Sequence, residues 1–163
     1  MDLKSYSLKD LILTAMKSEI DSTEIYSKLA DRVKNAMLKS RLEFLALEEK
    51  KHENYFRDLW GKEFPNEQIK IPIRSIVPIL EIEIQNDDIP ISQLLIQAMK
   101  AEKNASEFYR ELAELFDDID VKNALTYIAS MEIGHYKLIE TEKEIAQQFE
   151  AFDYEWPMMH IGP

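Results

Sequence analysis

Four stretches of the chain repeat apolar side chains at alternating spacings of four and three, which marks one face of an α-helix. The first runs Ile12, Met16, Glu19, Thr23, Tyr26, Ala30 and Val33. The second runs Leu38, Leu42, Leu45, Glu49, His52, Phe56 and Leu59. The third runs Leu95, Met99, Glu102, Ser106, Tyr109, Ala113 and Phe116, and the fourth Val121, Leu125, Ile128, Glu132, His135 and Ile139. Between these positions stand mostly Lys, Glu, Asp, Asn and Ser, as on solvent-facing sides. The pattern predicts four amphipathic helices and an all-α fold.

The stripes are related in pairs. Glu19, Glu49 and His52 recur as Glu102, Glu132 and His135, each displaced by 83 positions. Ala15-Met16-Lys17 recurs as Ala98-Met99-Lys100, Tyr26 as Tyr109, and Leu29-Ala30 as Leu112-Ala113. The midpoint of Glu19 and Glu49 falls in Val33-Lys34-Asn35, and that of Glu102 and Glu132 in Asp117-Asp118-Ile119-Asp120, both turn-like. Tight turns there make two antiparallel hairpins. Each Glu then lies about 15 residues, or roughly 22 Å, from its turn at 1.5 Å per residue. All six groups are expected in one layer near the middle of a duplicated, antiparallel four-helix bundle.

The hairpins are expected at about 7–60 and 90–148, with a crossover over 61–89, all in one domain spanning 1–148. The crossover holds Gly61, Pro65, Pro72 and Pro78 and ends at Pro90, so it cannot be one long helix. Gly61 after Trp60 reads as a helix C-terminal cap. Ile69 to Ile84 is rich in β-branched residues, which allows short extended pieces or one short helix. A connection this long is expected to run the length of the bundle, so that the third helix starts at the correct end, as in ferritin-like folds. Residues 149–163 read as an aromatic tail with Phe149, Phe152, Tyr154 and Trp156, packed on its own bundle or a neighbouring subunit.

The chemistry lies in where the charges sit. Four glutamates occupy apolar stripes, and burying unpaired carboxylates costs several kcal/mol each while they repel one another. Protons or cations must neutralise them. Two divalent ions match four carboxylates, and neutral imidazoles complete the donor set. Glu-x-x-His places both side chains on one helix face within reach of a single ion. Glu49 and Glu132 are the natural bridging carboxylates, with Glu19, His52, Glu102 and His135 as terminal ligands; which terminal Glu joins which His stays open. Carboxylate and imidazole donors suit iron or manganese, and zinc as well. Tyr26 and Tyr109 lie seven residues after Glu19 and Glu102, where their hydroxyls can hold a ligand carboxylate or bond any other buried acceptor. His160 reads first as a surface or packing imidazole, with an auxiliary ligand or inter-subunit contact as the alternative. The rival reading of the whole pattern is a metal-free bundle that binds partners through its tail.

Composition narrows the rest. A net charge of −11 argues against nucleic acid, whose phosphates require a basic face. There is no cysteine, which excludes disulfides, thiolate metal sites and cysteine nucleophiles within these 163 residues. No apolar run is long enough for a membrane span, and the first residues lack the apolar core of a signal peptide, so a cytoplasmic location is the expectation.

At Glu19, Glu49, His52, Glu102, Glu132 and His135, with Tyr26 and Tyr109, the chain resembles the rubrerythrin branch of the ferritin-like diiron-carboxylate proteins. The resemblance covers both hairpins, about Leu8 to Ile145. It implies a non-haem diiron site that reduces hydrogen peroxide or O2, in homodimers or larger assemblies. Two departures are visible. Rubrerythrins commonly carry a further Glu one turn after the third-helix ligand; here that residue is Ala105, and Ser22 is its counterpart in the first half. Complete rubrerythrins also append a four-cysteine rubredoxin module, so electrons here are expected from an external donor or from substrate Fe(II). Iron storage or handling without significant turnover is the alternative function.

Overall fold

The computed structural model of the chain describes residues 3–75 and 89–155. A 3-10 turn, Leu3–Ser5, precedes four helices: α1 Leu8–Arg32, α2 Ala36–Glu63, α3 Ile91–Ala113 and α4 Ile119–Glu155. Side-chain caps start three of them. Ser7 accepts from the Asp10 N–H at 3.2 Å while the Asp10 carboxylate accepts from the Ser7 N–H, a capping box that starts α1. Asn35 accepts from the N–H groups of Met37 and Leu38 at 2.9 and 3.0 Å and starts α2 in the first expected turn. Asp118 does the same for α4 in the second, accepting from Asp120 and Val121 at 2.9 and 3.3 Å.

Two boundaries differ from the sequence expectation. Gly61 is not a cap: it lies inside α2, without positive φ, and the helix ends at Phe64. The Phe64 N–H donates to the Trp60 carbonyl at 2.7 Å, its ring packs on Trp60, and Pro65 behind it disfavours a further helical residue. The stop signal is therefore Phe64-Pro65 rather than the glycine. At the other end α4 continues through Glu155, past the expected end at 148, because residues 149–155 contain neither Pro nor Gly. Trp156 and His160 lie outside the described residues, as does most of the Ile69 to Ile84 segment.

Two apolar clusters fix the topology. One joins Leu11, Ile12 and Met16 of α1 to Phe56 and Leu59 of α2, Phe108 and Leu112 of α3, and Val121 and Leu125 of α4. The other joins Leu29 and Ala30 to Leu38 and Leu42, to Leu94 and Leu95, and to Ile139 and Ala146. The start of α1, the end of α2, the end of α3 and the start of α4 thus share one end. So α1 runs parallel to α4 and α2 parallel to α3, and the end of α2 and the start of α3 lie at opposite ends of the bundle. The connection 64–90 is tied at both ends. Near α2, the Trp60 indole donates to the Glu67 carbonyl at 3.0 Å and Lys9 pairs with Glu67. Near α3, Arg32 donates to the Ile89 carbonyl at 2.6 Å. This is a ferritin-like four-helix bundle. No helix among the described residues is long and apolar enough to cross a membrane.

Gly134 sits mid-helix in α4, where an added Cβ would meet no atom within 4 Å. Gly134→Ala should therefore raise stability by about 0.5–1 kcal/mol, chiefly by restricting the unfolded chain. A urea midpoint that stays put or falls would show that the backbone beside His135 requires glycine.

Candidate metal centre

Between the two apolar clusters lies a layer of charge. Glu19 comes from α1, Glu49 and His52 from α2, Glu102 from α3, and Glu132 and His135 from α4; none is more than 5% exposed. The helices deliver them there because every one sits in the middle of a stripe whose other members are core residues. The six groups form two quartets. Glu19, Glu49, His52 and Glu132 offer donor atoms within 4.8 Å of one another, and so do Glu49, Glu102, Glu132 and His135. Glu49 and Glu132 belong to both quartets. Glu19 falls with His52, and Glu102 with His135, a pairing that spacing alone leaves open.

The contacts are nearly two-fold symmetric. His52 Nδ1 lies 2.9 Å from Glu132, 3.5 Å from Glu49 and 3.6 Å from Glu19. His135 Nδ1 lies 2.9 Å from Glu49, 3.2 Å from Glu132 and 3.6 Å from Glu102. The two imidazoles stack with centroids 5.7 Å apart, closing the α2–α4 side. The tyrosines cross between halves: Tyr26 donates to Glu102, and Tyr109 donates to Glu19. Each terminal glutamate is thereby held by the tyrosine of the other hairpin. Both phenols are fully buried, and burial followed by the adjacent carboxylates pushes their pKa values well up, so they remain donors.

The electrostatics separate the carboxylates by role. Burial, reinforced by repulsion from Glu49 and Glu132, holds Glu19 and Glu102 well above the usual carboxylate range. Burial pushes on Glu49 and Glu132 too, but both imidazoles contact them and leave both carboxyls below that range. Burial favours neutral imidazoles, yet carboxylates on three sides outweigh it and raise His52 to about 12, with His135 raised likewise. Without cations, the layer is neutral only by carrying protons: one on each imidazole and one on each terminal glutamate.

A proton does not satisfy the geometry. Glu49 Oε1, His52 Nδ1, Glu132 Oε1 and His135 Nε2 are buried without an aligned hydrogen-bond partner, despite imidazole–carboxylate approaches of 2.9 Å. Four such polar atoms in one buried cluster, all of them oxygen or nitrogen donors, suit a pair of cations of the iron, manganese or zinc kind.

The other side of the layer is open. A cleft of about 340 Å³ reaches Glu19, Glu49, Glu102 and Glu132 between α1 and α3, past Ser22 and Ala105 and beneath Ile73, Arg74 and Ser75. Periodicity gave no sign of this cleft, which lies between α1 and α3 and is lined by the small side chains of Ser22 and Ala105.

A family model described as Rubrerythrin matches residues 10–143. Among solved structures, a hypothetical protein from Pyrococcus furiosus is 35% identical, with a TM-score of 0.82 over 91% of this chain and 95% of that one. A dodecameric thioferritin, the bacterioferritin-related protein from Bacteroides fragilis, is 25% identical, with a TM-score of 0.67 over 93% of this chain and 92% of that one. No curated protein matches the chain at a significant level. With its buried layer of four glutamates and two histidines inside a ferritin-like bundle, the chain belongs to the rubrerythrin family.

Proposed function

We propose that the layer holds two iron ions and that the protein uses them to reduce hydrogen peroxide or O2, drawing electrons from an external donor. The observation that carries this is the paired, unsatisfied donor set sharing Glu49 and Glu132. In this reading those two carboxylates would be shared by the ions, while Glu19 with His52 and Glu102 with His135 would each help hold one. Bound iron would supply the one-electron changes that none of these side chains can make. The residues around it do the rest. Tyr26 and Tyr109 keep Glu102 and Glu19 oriented. Among the described residues, the stacked imidazoles and the two apolar clusters shield the layer, and the α1–α3 cleft reaches it. Manganese or zinc would fit the same donors without the same redox range.

Anaerobic loading with Fe(II) followed by peroxide or air tests the reading. Oxidation should run at least about tenfold faster than with Glu49→Gln, which removes a shared donor. Equal rates would overturn it. Iron handling without turnover is the second reading, and the dodecameric thioferritin relative favours it. That relative also supports self-association of this chain; light scattering that finds a closed shell and Fe(III) retained inside it would turn the balance toward storage.

Cations must displace the protons of the metal-free layer. Loading two divalent ions should release about four protons near neutral pH, two from His52 and His135 and two from Glu19 and Glu102. Calorimetry in buffers of different ionisation enthalpy counts them, and release of none would contradict protonated histidines. The metal-free protein should respond to pH in the opposite sense from metal affinity. A histidine raised from 6.5 to about 12 contributes stability fully below 6.5 and loses it as pH climbs toward its folded value. Melting temperature without metal should therefore fall between about pH 6.5 and about pH 9, while metal affinity rises.

A further inference from the structure

The cleft above the layer is larger than the proposed oxidants require. Its 340 Å³ far exceeds the roughly 30 Å³ share of a water molecule and falls within the span of about 300–1,000 Å³ typical of small-molecule pockets. Its depth comes from two small residues. Ser22 and Ala105 stand one turn beyond Glu19 and Glu102, where a longer side chain from either helix would fill the passage. Glu49 Oε1 and Glu132 Oε1, both without a hydrogen-bond partner, belong to carboxylates that line the floor.

The lining has a chemical bias. Ile25, Ala101 and Ala105 give apolar wall, and Ile73 at the mouth is 94% exposed. Two of the three cations around the cleft are already committed: Lys17 to Asp21 at 2.7 Å, and Lys28 to Glu24 at 2.5 Å. Arg74 is exposed beside Ile73 and forms no ion pair with a described residue. A guanidinium uncommitted among the described residues stands next to an unburied aliphatic side chain, above a floor whose carboxylates would be neutralised by bound cations. That combination favours a short-chain organic anion.

We propose that the α1–α3 cleft is a binding pocket for a short-chain organic carboxylate, with Arg74 at its mouth receiving the negative head group and Ser22 and Ala105 keeping its depth open. The proposal rests on the metal reading above, which puts bound cations in the floor of the cleft. It deepens that reading by giving the site a ligand class beyond peroxide and O2.

The test is calorimetric titration of butyrate, with butyramide as the uncharged control, into protein loaded with Zn(II) and assayed for metal on the same sample. Butyrate should bind once per chain and butyramide at least about tenfold more weakly, the gap expected when a charged partner is lost. Arg74→Ala should weaken butyrate about fivefold, as for one partly exposed ion pair. Ala105→Phe should abolish binding with metal content unchanged, and Ser22→Phe does the same from the other wall should Ala105→Phe disturb packing. Metal-loaded protein that binds butyrate no better than butyramide, or that ignores both phenylalanine variants, overturns the pocket. Protein that holds no metal overturns the metal reading itself, and the pocket with it.

Discussion

Four carboxyl groups in one buried layer cannot all be ionised alone, and the rest of this bundle is arranged around that constraint. Coulomb repulsion at a few ångströms in a low dielectric is worth several kcal/mol per pair. The fold answers it by interleaving two imidazoles among four glutamates and by giving each terminal glutamate a phenol donor from the opposite hairpin. The crossed tyrosines matter beyond charge. Tyr26 belongs to one apolar cluster and Tyr109 to the other, so each phenol ties the polar layer to the packing above or below it. Disturbing the layer therefore reaches the core on both sides.

The stripes were legible because duplication repeats the same signal twice. Every stripe residue of α2, α3 and α4 is buried, and of the α1 stripe only Thr23 and Val33 are less than fully so. The turns followed from symmetry about the four glutamates. What the sequence hid was decided elsewhere. Gly61 looked like a cap, but a glycine ends a helix only where the backbone turns left-handed, and here Phe64 and Pro65 end it by packing and by steric exclusion. The end of α4 lay beyond the last apolar stripe position because helix persists until something breaks it. The cleft depends on Ser22 and Ala105 meeting across α1 and α3, a tertiary relation that no single-helix period contains.

The halves are symmetric in their layer residues and unequal in support. Ser106 donates to the Ala129 carbonyl at 2.7 Å, locking α3 to α4 beside Glu102. Its counterpart 83 residues earlier, Thr23, buries a hydroxyl with no partner. The crossover adds a second inequality, since it covers the cleft mouth with residues that have no equivalent in the other hairpin. The two quartets therefore share donor chemistry but not surroundings, and two ions held there would differ in rigidity of their supporting helices.

The open side follows from the same repeat that builds the site. On all four helices the layer's glutamate is followed three residues later by a side chain on the same face. On α2 and α4 that side chain is His52 or His135, which adds a donor and, by stacking, closes the gap between the helices. On α1 and α3 it is Ser22 or Ala105, which adds no donor and fills little space. Donors and bulk thus accumulate on one side of the layer, and room on the other. An acid at Ser22 or Ala105 would have added a carboxylate to the layer and narrowed the passage in one step. Its absence exchanges a seventh donor for access, so the identity of these two small residues governs what can reach the centre.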